Sequence, residues 1–335
     1  MILKYKGLIG ACAFILIIFG AIHWLFNTNN TCKSDIYIKS NGTIDQLLDQ
    51  LEATKSVHSL FSFKVAKYLM GFESVKAGKY SISEGMSNRE LINMFKYNHQ
   101  KLIDFRFGNS ILPHELYGAL GRKFEADSSE FKQAILNKTQ LEALGLDSTT
   151  VLALFWADTY YFPWAISPEK MIRFFVNEKQ IYWSPEKFNM LTQTGLKSAK
   201  DAYILASIIE KEAVKTEELP IMAGVYLNRL NIDMPLQADP TLKYAIGNTS
   251  MRRVTGILNT ESPYNTYNHK GLPPGPIGIA SKKGVEAVLN FKQHQFLYFC
   301  AKDDFSNTHY FTKSYAEHIK NARKYRAALD ARGIK

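Results

Sequence analysis

A run from Gly7 to Phe26, GLIGACAFILIIFGAIHWLF, holds no charged residue, and crossing a hydrocarbon core as a helix takes about 20 such residues. A cleaved signal peptide is the competing reading. Its apolar region spans about 7 to 15 residues and ends at a small-x-small site, and neither feature fits this run. A retained anchor over residues 7–26 is therefore predicted. Lys4 and Lys6 precede it, whereas NTNNTCKSD after it carries only Lys33 as a base. That asymmetry puts residues 1–6 in the cytoplasm and everything from about Asn27 onward in the periplasm, on the outer side of the inner membrane. His23 and Trp24, near the outer end, read as interfacial anchors.

The rest of the 335-residue chain can bury one or two cores, since 46% of its residues are hydrophobic. The net charge of +10 is spread without a long Lys/Arg block, which argues against a nucleic-acid arm and suits work beside anionic lipid or cell-wall polymer. Cys12, Cys32 and Cys300 show no CxxC spacing, so neither a disulfide framework nor a zinc site is expected. His269, His309 and His318 lack ligand spacing, and neither metal nor cofactor is expected.

The predicted fold class is α+β, with three parts after the anchor. Residues 35–100 form a small module: a strand at Ile36 to Ile38, a helix behind Thr43, a helix near Leu60 to Met70, a strand near Lys79 to Ile82, and a helix behind Ser87. Thr43 and Ser87 are natural N-caps because each precedes an apolar-periodic run. Residues 101–200 are a helix-rich connecting region that opens with a strand over Lys101 to Phe107 and a helix from Pro113 to Phe124. Residues 201–335 carry the densest polar and glycine-containing signatures and end in a basic helix, Tyr315 to Ala328, read as a solvated cap that includes His318.

DAYILASIIEKEAVK, from Asp201 to Lys215, reads as a helix with Ile204, Leu205, Ile208 and Ile209 on one apolar stripe. Glu210 and Glu212 lie about 200° apart on it and cannot face one small site. Glu212 falls within the stripe and calls for a partner, with Arg229 the candidate, because an unpaired buried charge is costly. Glu210 falls on the other side near Ala206 and Ala213, where a polymer could approach, and is the predicted catalytic acid. Further on, the turn bearing Gln237, Asp239, Pro240 and Thr241 and the loop SPYNTYNHKGLPPGPIG offer Tyr264 and Tyr267 to stack on sugar faces. Asn265 and Gln237 would bond hydroxyls or acetamido groups.

ASIIEKEA, VYLNRL with MPLQADPT, SPYNTY with GLPPGPI, and THYF with YAEH together resemble the endolytic murein transglycosylase, or YceG-like, family. The resemblance implies that Glu210 is catalytic. It also implies that Gln237, Asp239, Thr241, Tyr264, Asn265, Thr266, Tyr267 and His309 contact glycan, and that Glu212, Asn228 and Arg229 support the site. It further implies a LysM-like role for residues 35–100, peptidoglycan strands as substrate and synthases as neighbours. The chain departs from the family pattern at Phe107-Gly108, at Leu152-Ala153 and at Ala157 in ADTY, which is expected to alter packing between modules rather than the reaction.

A lytic transglycosylase needs one carboxyl, because the muramic acid's own C6 hydroxyl attacks and proximity replaces an external nucleophile. A hydrolytic muramidase would need a second, for which Asp239 or Asp158 is available. A non-catalytic scaffold tethering wall to membrane is the third reading. Replacing Glu210 by Gln is expected to abolish cleavage if the lytic reading and its assignment hold.

Overall fold

The structure is a computed structural model. It describes residues 2–27, 30, 32–109, 111–248, 251 and 255–333. Two compact units emerge, one from Met1–Phe105, Gly121–Asp127 and Tyr161–Ser167, the other from Arg106–Leu120, Ser128–Tyr160 and Pro168–Lys335. Residues 101–200 thus contribute to both units.

The first unit begins with helix α1, Ile2–Asn27. Within it Ile9–Asn27 has a mean hydropathy of 2.3 and is long and apolar enough to cross a membrane. There follow β1 (Ser34–Ile38), α2 (Ile44–Ala53), α3 (Leu60–Leu69), β2 (Gly78–Ile82) and α4 (Asn88–Lys96). Local chemistry starts these helices where expected. Thr43 with Gln46, and Ser87 with Glu90, close reciprocal capping boxes, each satisfying two backbone donors that the first helical turn leaves orphaned. β1 and β2 pair antiparallel from Ser34↔Ile82 to Ile38↔Gly78. Alternate residues Ile36, Ile38, Tyr80 and Ile82 face a sealed core with Leu47, Leu51, Phe63, Leu91 and Phe95.

The chain continues with β3 (Ile103–Arg106), α5 (Pro113–Lys123), α6 (Ser128–Ile135), α7 (Lys138–Ala143), β4 (Thr159–Phe162), α8 (Pro168–Tyr182) and α9 (Pro185–Gln193). Next come α10 (Ala199–Glu212), α11 (Leu219–Asn231), α12 (Asp239–Ala245), α13 (Lys282–Leu289), β5 (Tyr298–Ala301), β6 (His309–Thr312) and α14 (Tyr315–Ala331).

The second unit is organised around α10. Every residue from Ala202 to Ile209 is buried, so the apolar surface is the whole circumference and not the narrow stripe of the wheel. The reason is composition: AYILASII has no charge, and its one hydroxyl outside Tyr203, that of Ser207, donates to Ile204 O at 2.7 Å and accepts from Ile277 N at 3.1 Å. The Tyr203 hydroxyl donates within 2.9 Å of the Leu152 and Phe155 carbonyls and accepts from Ala280 N at 2.9 Å. The helix stops at Glu212 rather than Lys215, because Ala213 is extended with φ −91 and ψ 128. α11 and α13 pack on α10, and the β5–β6 hairpin, paired from Tyr298↔Thr312 to Ala301↔His309, packs with α14.

Candidate functional site

The last turn of α10 sends its two glutamates into two separate pockets, both within the second unit. Glu212 borders one of about 320 Å³ that it shares with Arg229, Gln237, Asp239, Tyr267, Tyr298, Tyr315 and His318. Glu210 borders another of about 310 Å³, with Arg106, Phe107, Gly108, Asn109, Ala157, Asp158, Thr159 and Ser281.

In the first pocket the Tyr226 hydroxyl, on α11, is 3.4 Å from the Glu212 carboxyl and donates to it. Burial pushes the Glu212 pKa up to about 7, the charge of Asp239 adds to the rise, and Tyr226, Lys243 and Arg229 oppose it. The acid is therefore poised to hold or release its proton near neutrality. Asp239 opens α12 and accepts a 2.5 Å hydrogen bond from the Tyr267 hydroxyl, which fixes that ring; burial, then this bond, push the phenol's pKa up. Gln237 is exposed and holds a left-handed φ of +50, a conformation costing an L-residue roughly 1–2 kcal/mol. Its backbone N–H donates to Thr266 O at 2.9 Å, which helps hold it there.

The remaining polar residues of the two sequence signatures build the scaffold under this pocket. Asn265 is fully buried: its Nδ2 donates to Leu258 O at 2.9 Å and Thr260 O at 2.8 Å, and its Oδ1 accepts from Tyr267 N at 3.0 Å. Thr266 Oγ1 accepts from Ala238 N at 3.0 Å and lies 2.9 Å from the Thr241 Oγ1, which donates to Ala238 O. Thr241, Asn265 and Thr266, expected to contact glycan, have their side chains engaged in these internal bonds.

Tyr264 is likewise elsewhere. Its ring packs against Tyr244 at 4.8 Å between centroids and its hydroxyl lies beside Gly275, and it lines neither glutamate's pocket. His309 is bound to Glu218 through its Nδ1 and its backbone N–H, both at 2.8 Å. Asn228 donates to His294 O at 2.8 Å and Phe296 O at 3.0 Å. Arg229, expected to pair with Glu212, instead donates to Leu297 O and Leu236 O, each at 2.7 Å, and lies over the Tyr298 ring. Its carbonyl partners lie on the two strands of chain that carry Tyr298 and Gln237, so it clamps the pocket walls together.

Glu210 sits against the first turn of α13. Its carboxylate accepts from Ser281 N at 3.0 Å and from the Ser281 hydroxyl, and the same Oγ caps the helix by accepting from Gly284 N at 3.0 Å. A Cβ on Gly284 would fall 2.5 Å from the Glu210 carboxyl carbon, so any larger residue there would have to displace the end of the Glu210 side chain. Burial raises the Glu210 pKa, while the two Ser281 bonds and Lys211 oppose the rise. A helix N-terminus favours the ionised form.

Among the pocket residues that escaped the sequence reading are Tyr298, Phe299, Tyr315 and above all His318. The last two open the basic helix α14, which looks solvated on a wheel. His318 packs between Tyr298 and Tyr315, with ring centroids 5.5 and 6.1 Å away. Its Nδ1 is buried without a partner among the described residues, and burial, then Arg229 and Arg326, lower its pKa. No local periodicity carries that signal; THYF and YAEH lying close together in sequence was the nearest hint.

A family model, that of the YceG-like family, matches residues 36–324. An endolytic murein transglycosylase of Bacillus subtilis strain 168 is 37% identical over 159 residues, covering 48% of this chain and 43% of that protein. One of Streptococcus pneumoniae strain R6 is 28% identical over 303 residues, covering 79% of this chain and 53% of that protein. The chain spans about half the length of these curated relatives. The crystal structure of a yceG-like protein from Listeria monocytogenes is similar with a TM-score of 0.58 at 25% identity, covering 86% of this chain and 98% of that one.

Proposed function

We propose that this chain, which belongs to the YceG-like family, cleaves peptidoglycan glycan strands internally by lytic transglycosylation, with Glu212 as its general acid and base. The observation that carries the assignment is the Glu212 carboxyl itself, with a pKa near 7, in one pocket with Gln237, Asp239 and Tyr267. Protonated Glu212 gives its proton to the oxygen leaving C1 of N-acetylmuramic acid. As the C1–O bond breaks, the sugar's own C6 hydroxyl bonds to C1 and surrenders its proton to the Glu212 carboxylate. The acid is regenerated and a 1,6-anhydro end is left, with no water consumed. Tyr298 and Tyr315 offer rings for sugar faces, and Gln237 an exposed amide for an acetamido group.

A second reading keeps Glu210 as the acid, favoured by one observation: it shares a polar pocket with Asp158, as a two-carboxylate muramidase would require. Two features weigh against it. The Glu210 carboxylate is engaged by the cap of α13, and the departures Phe107-Gly108 and Ala157 line that pocket, whereas the matched MPLQADPT and SPYNTY signatures supply Gln237, Asp239 and Tyr267 to the Glu212 pocket. Mass analysis of digested nascent glycan separates the chemistries, because hydrolysis adds one water to each new reducing end where lytic cleavage leaves the anhydro form. Products carrying that water would overturn the lytic reading, and a lack of any product from folded preparations would leave a scaffold.

The β1–α2–α3–β2 module serves in this proposal as a LysM-like glycan-binding element. α1 anchors the chain as a single span with residues 1–6 cytoplasmic, keeping the catalytic unit on the outer side of the inner membrane, where synthases extrude new strands.

A further inference from the structure

Helix α3 turns an apolar surface outward. Ser62, Phe63 and Ala66 face the core of the first unit, while Phe61 is 68% exposed, Tyr68 81% and Leu69 59%. At about 100° per residue Phe61, Lys64 and Tyr68 share the outer side. An isolated exposed apolar residue needs no explanation, but three on one short helix form a patch that does.

The neighbouring end of α1 indicates what covers the patch. The last turn of the apolar helix is fixed to this module: Asn88 Nδ2 donates to Leu25 O at 2.8 Å, and the Arg89 guanidinium lies 5.3 Å from the Phe26 ring centroid. The Trp24 ring, itself 42% exposed, meets the Phe61 ring at 6.5 Å. Phe61 therefore continues the apolar surface of the helix that crosses the bilayer, at the level where Trp marks a membrane interface. Lys64 and Arg89, both exposed, supply positive charge where lipid phosphates would lie.

We propose that the outer face of α3 rests on the phospholipid headgroup layer at the point where α1 enters the membrane. Phe61, Tyr68 and Leu69 dip into the boundary between headgroups and acyl chains, and Lys64 and Arg89 meet the phosphates. The module is then docked on the bilayer surface and does not swing freely above it.

The test uses the full chain with Cys12, Cys32 and Cys300 replaced by Ser, in nanodiscs of phosphatidylcholine with a minority of phosphatidylglycerol. A nitroxide is attached at Phe61→Cys, at Tyr68→Cys or, as a control, at Glu52→Cys on α2. All three positions are exposed, so labelling disturbs no core. The ratio of relaxation by oxygen to relaxation by a water-soluble nickel chelate should be several-fold higher at 61 and 68 than at 52. Equal ratios at all three positions would overturn the proposal. So would labels at 61 and 68 shielded from both relaxants, which would mean that a protein surface or a second copy of this chain covers the face.

Discussion

Glu210 and Glu212 leave the same helix end two positions apart and burial raises the pKa of both, yet the groups bonded to each carboxyl differ. Around Glu210 the Ser281 N–H and hydroxyl, at the first turn of α13, bind the charge and offset part of the cost of burial. Around Glu212 the closest bond is a 3.4 Å contact from Tyr226, and Asp239 adds a like charge. A carboxylate held by a helix N-terminus is a structural tie. One with a destabilised charge beside exposed polar side chains is a candidate reagent. The difference shows that two carboxyls of similar burial are told apart by what they are bonded to.

The largest effect expected from this contrast is on turnover. Glu212→Gln should lower cleavage by about 10²–10⁴-fold, the usual share of a general acid, while Glu210→Gln should cost activity only as far as it loosens α13. Rates of release from defined nascent strands measure both, and a reversed ranking would transfer the role to Glu210.

The contrast also has a thermodynamic face. Because the Glu212 pKa is raised from 4.5 to about 7 in the folded chain, ionising it costs more folded than unfolded. Its stabilising contribution is full below about pH 4.5, falls as pH rises toward about 7 and levels beyond. Thermal melts of Glu212→Gln against the parent should show a gain in Tm that grows across that window, and a pH-independent difference would remove the desolvated acid from the account.

Around Glu210 the expected losses are in stability. Gly284→Ala drives a methyl into the Glu210 carboxyl and should cost about 1–3 kcal/mol, and Ser281→Ala, which removes the α13 cap, about 1 kcal/mol. Denaturant midpoints report both, and turnover per folded molecule should change little. In the Glu212 pocket, His318→Phe keeps the stack on Tyr298 and Tyr315 but removes the ring nitrogens. It should weaken glycan binding by up to about tenfold, one hydrogen bond's worth, with His318→Gln restoring part of it. Equal binding by the Phe variant would reduce His318 to packing.

Much of this was legible in local sequence and the rest was not, for a physical reason. Thr43 and Ser87 announce their helices because a cap acts over three residues, and the period-two pattern of β1 and β2 is equally local. The wheel separated Glu210 from Glu212 because 200° is a property of the helix alone. It could not say which flank opens on a useful pocket, since α10 is buried on every side and its neighbours arrive from residues 226 to 318. Asn265, Thr241 and Thr266 had the right chemistry for sugars, but that chemistry is consumed in holding Gln237 and Tyr267 in place. His318 looked solvated because its tyrosine walls are brought together by the hairpin and α14.

The most direct measurement sets the two glutamates side by side on one substrate: nascent, uncrosslinked glycan digested by the parent, Glu212→Gln and Glu210→Gln chains at equal folded concentration, with the new ends read by mass. Anhydro ends from the parent and from Glu210→Gln, and none from Glu212→Gln, are the predicted result. Anhydro ends from Glu212→Gln at the parental rate would contradict the account.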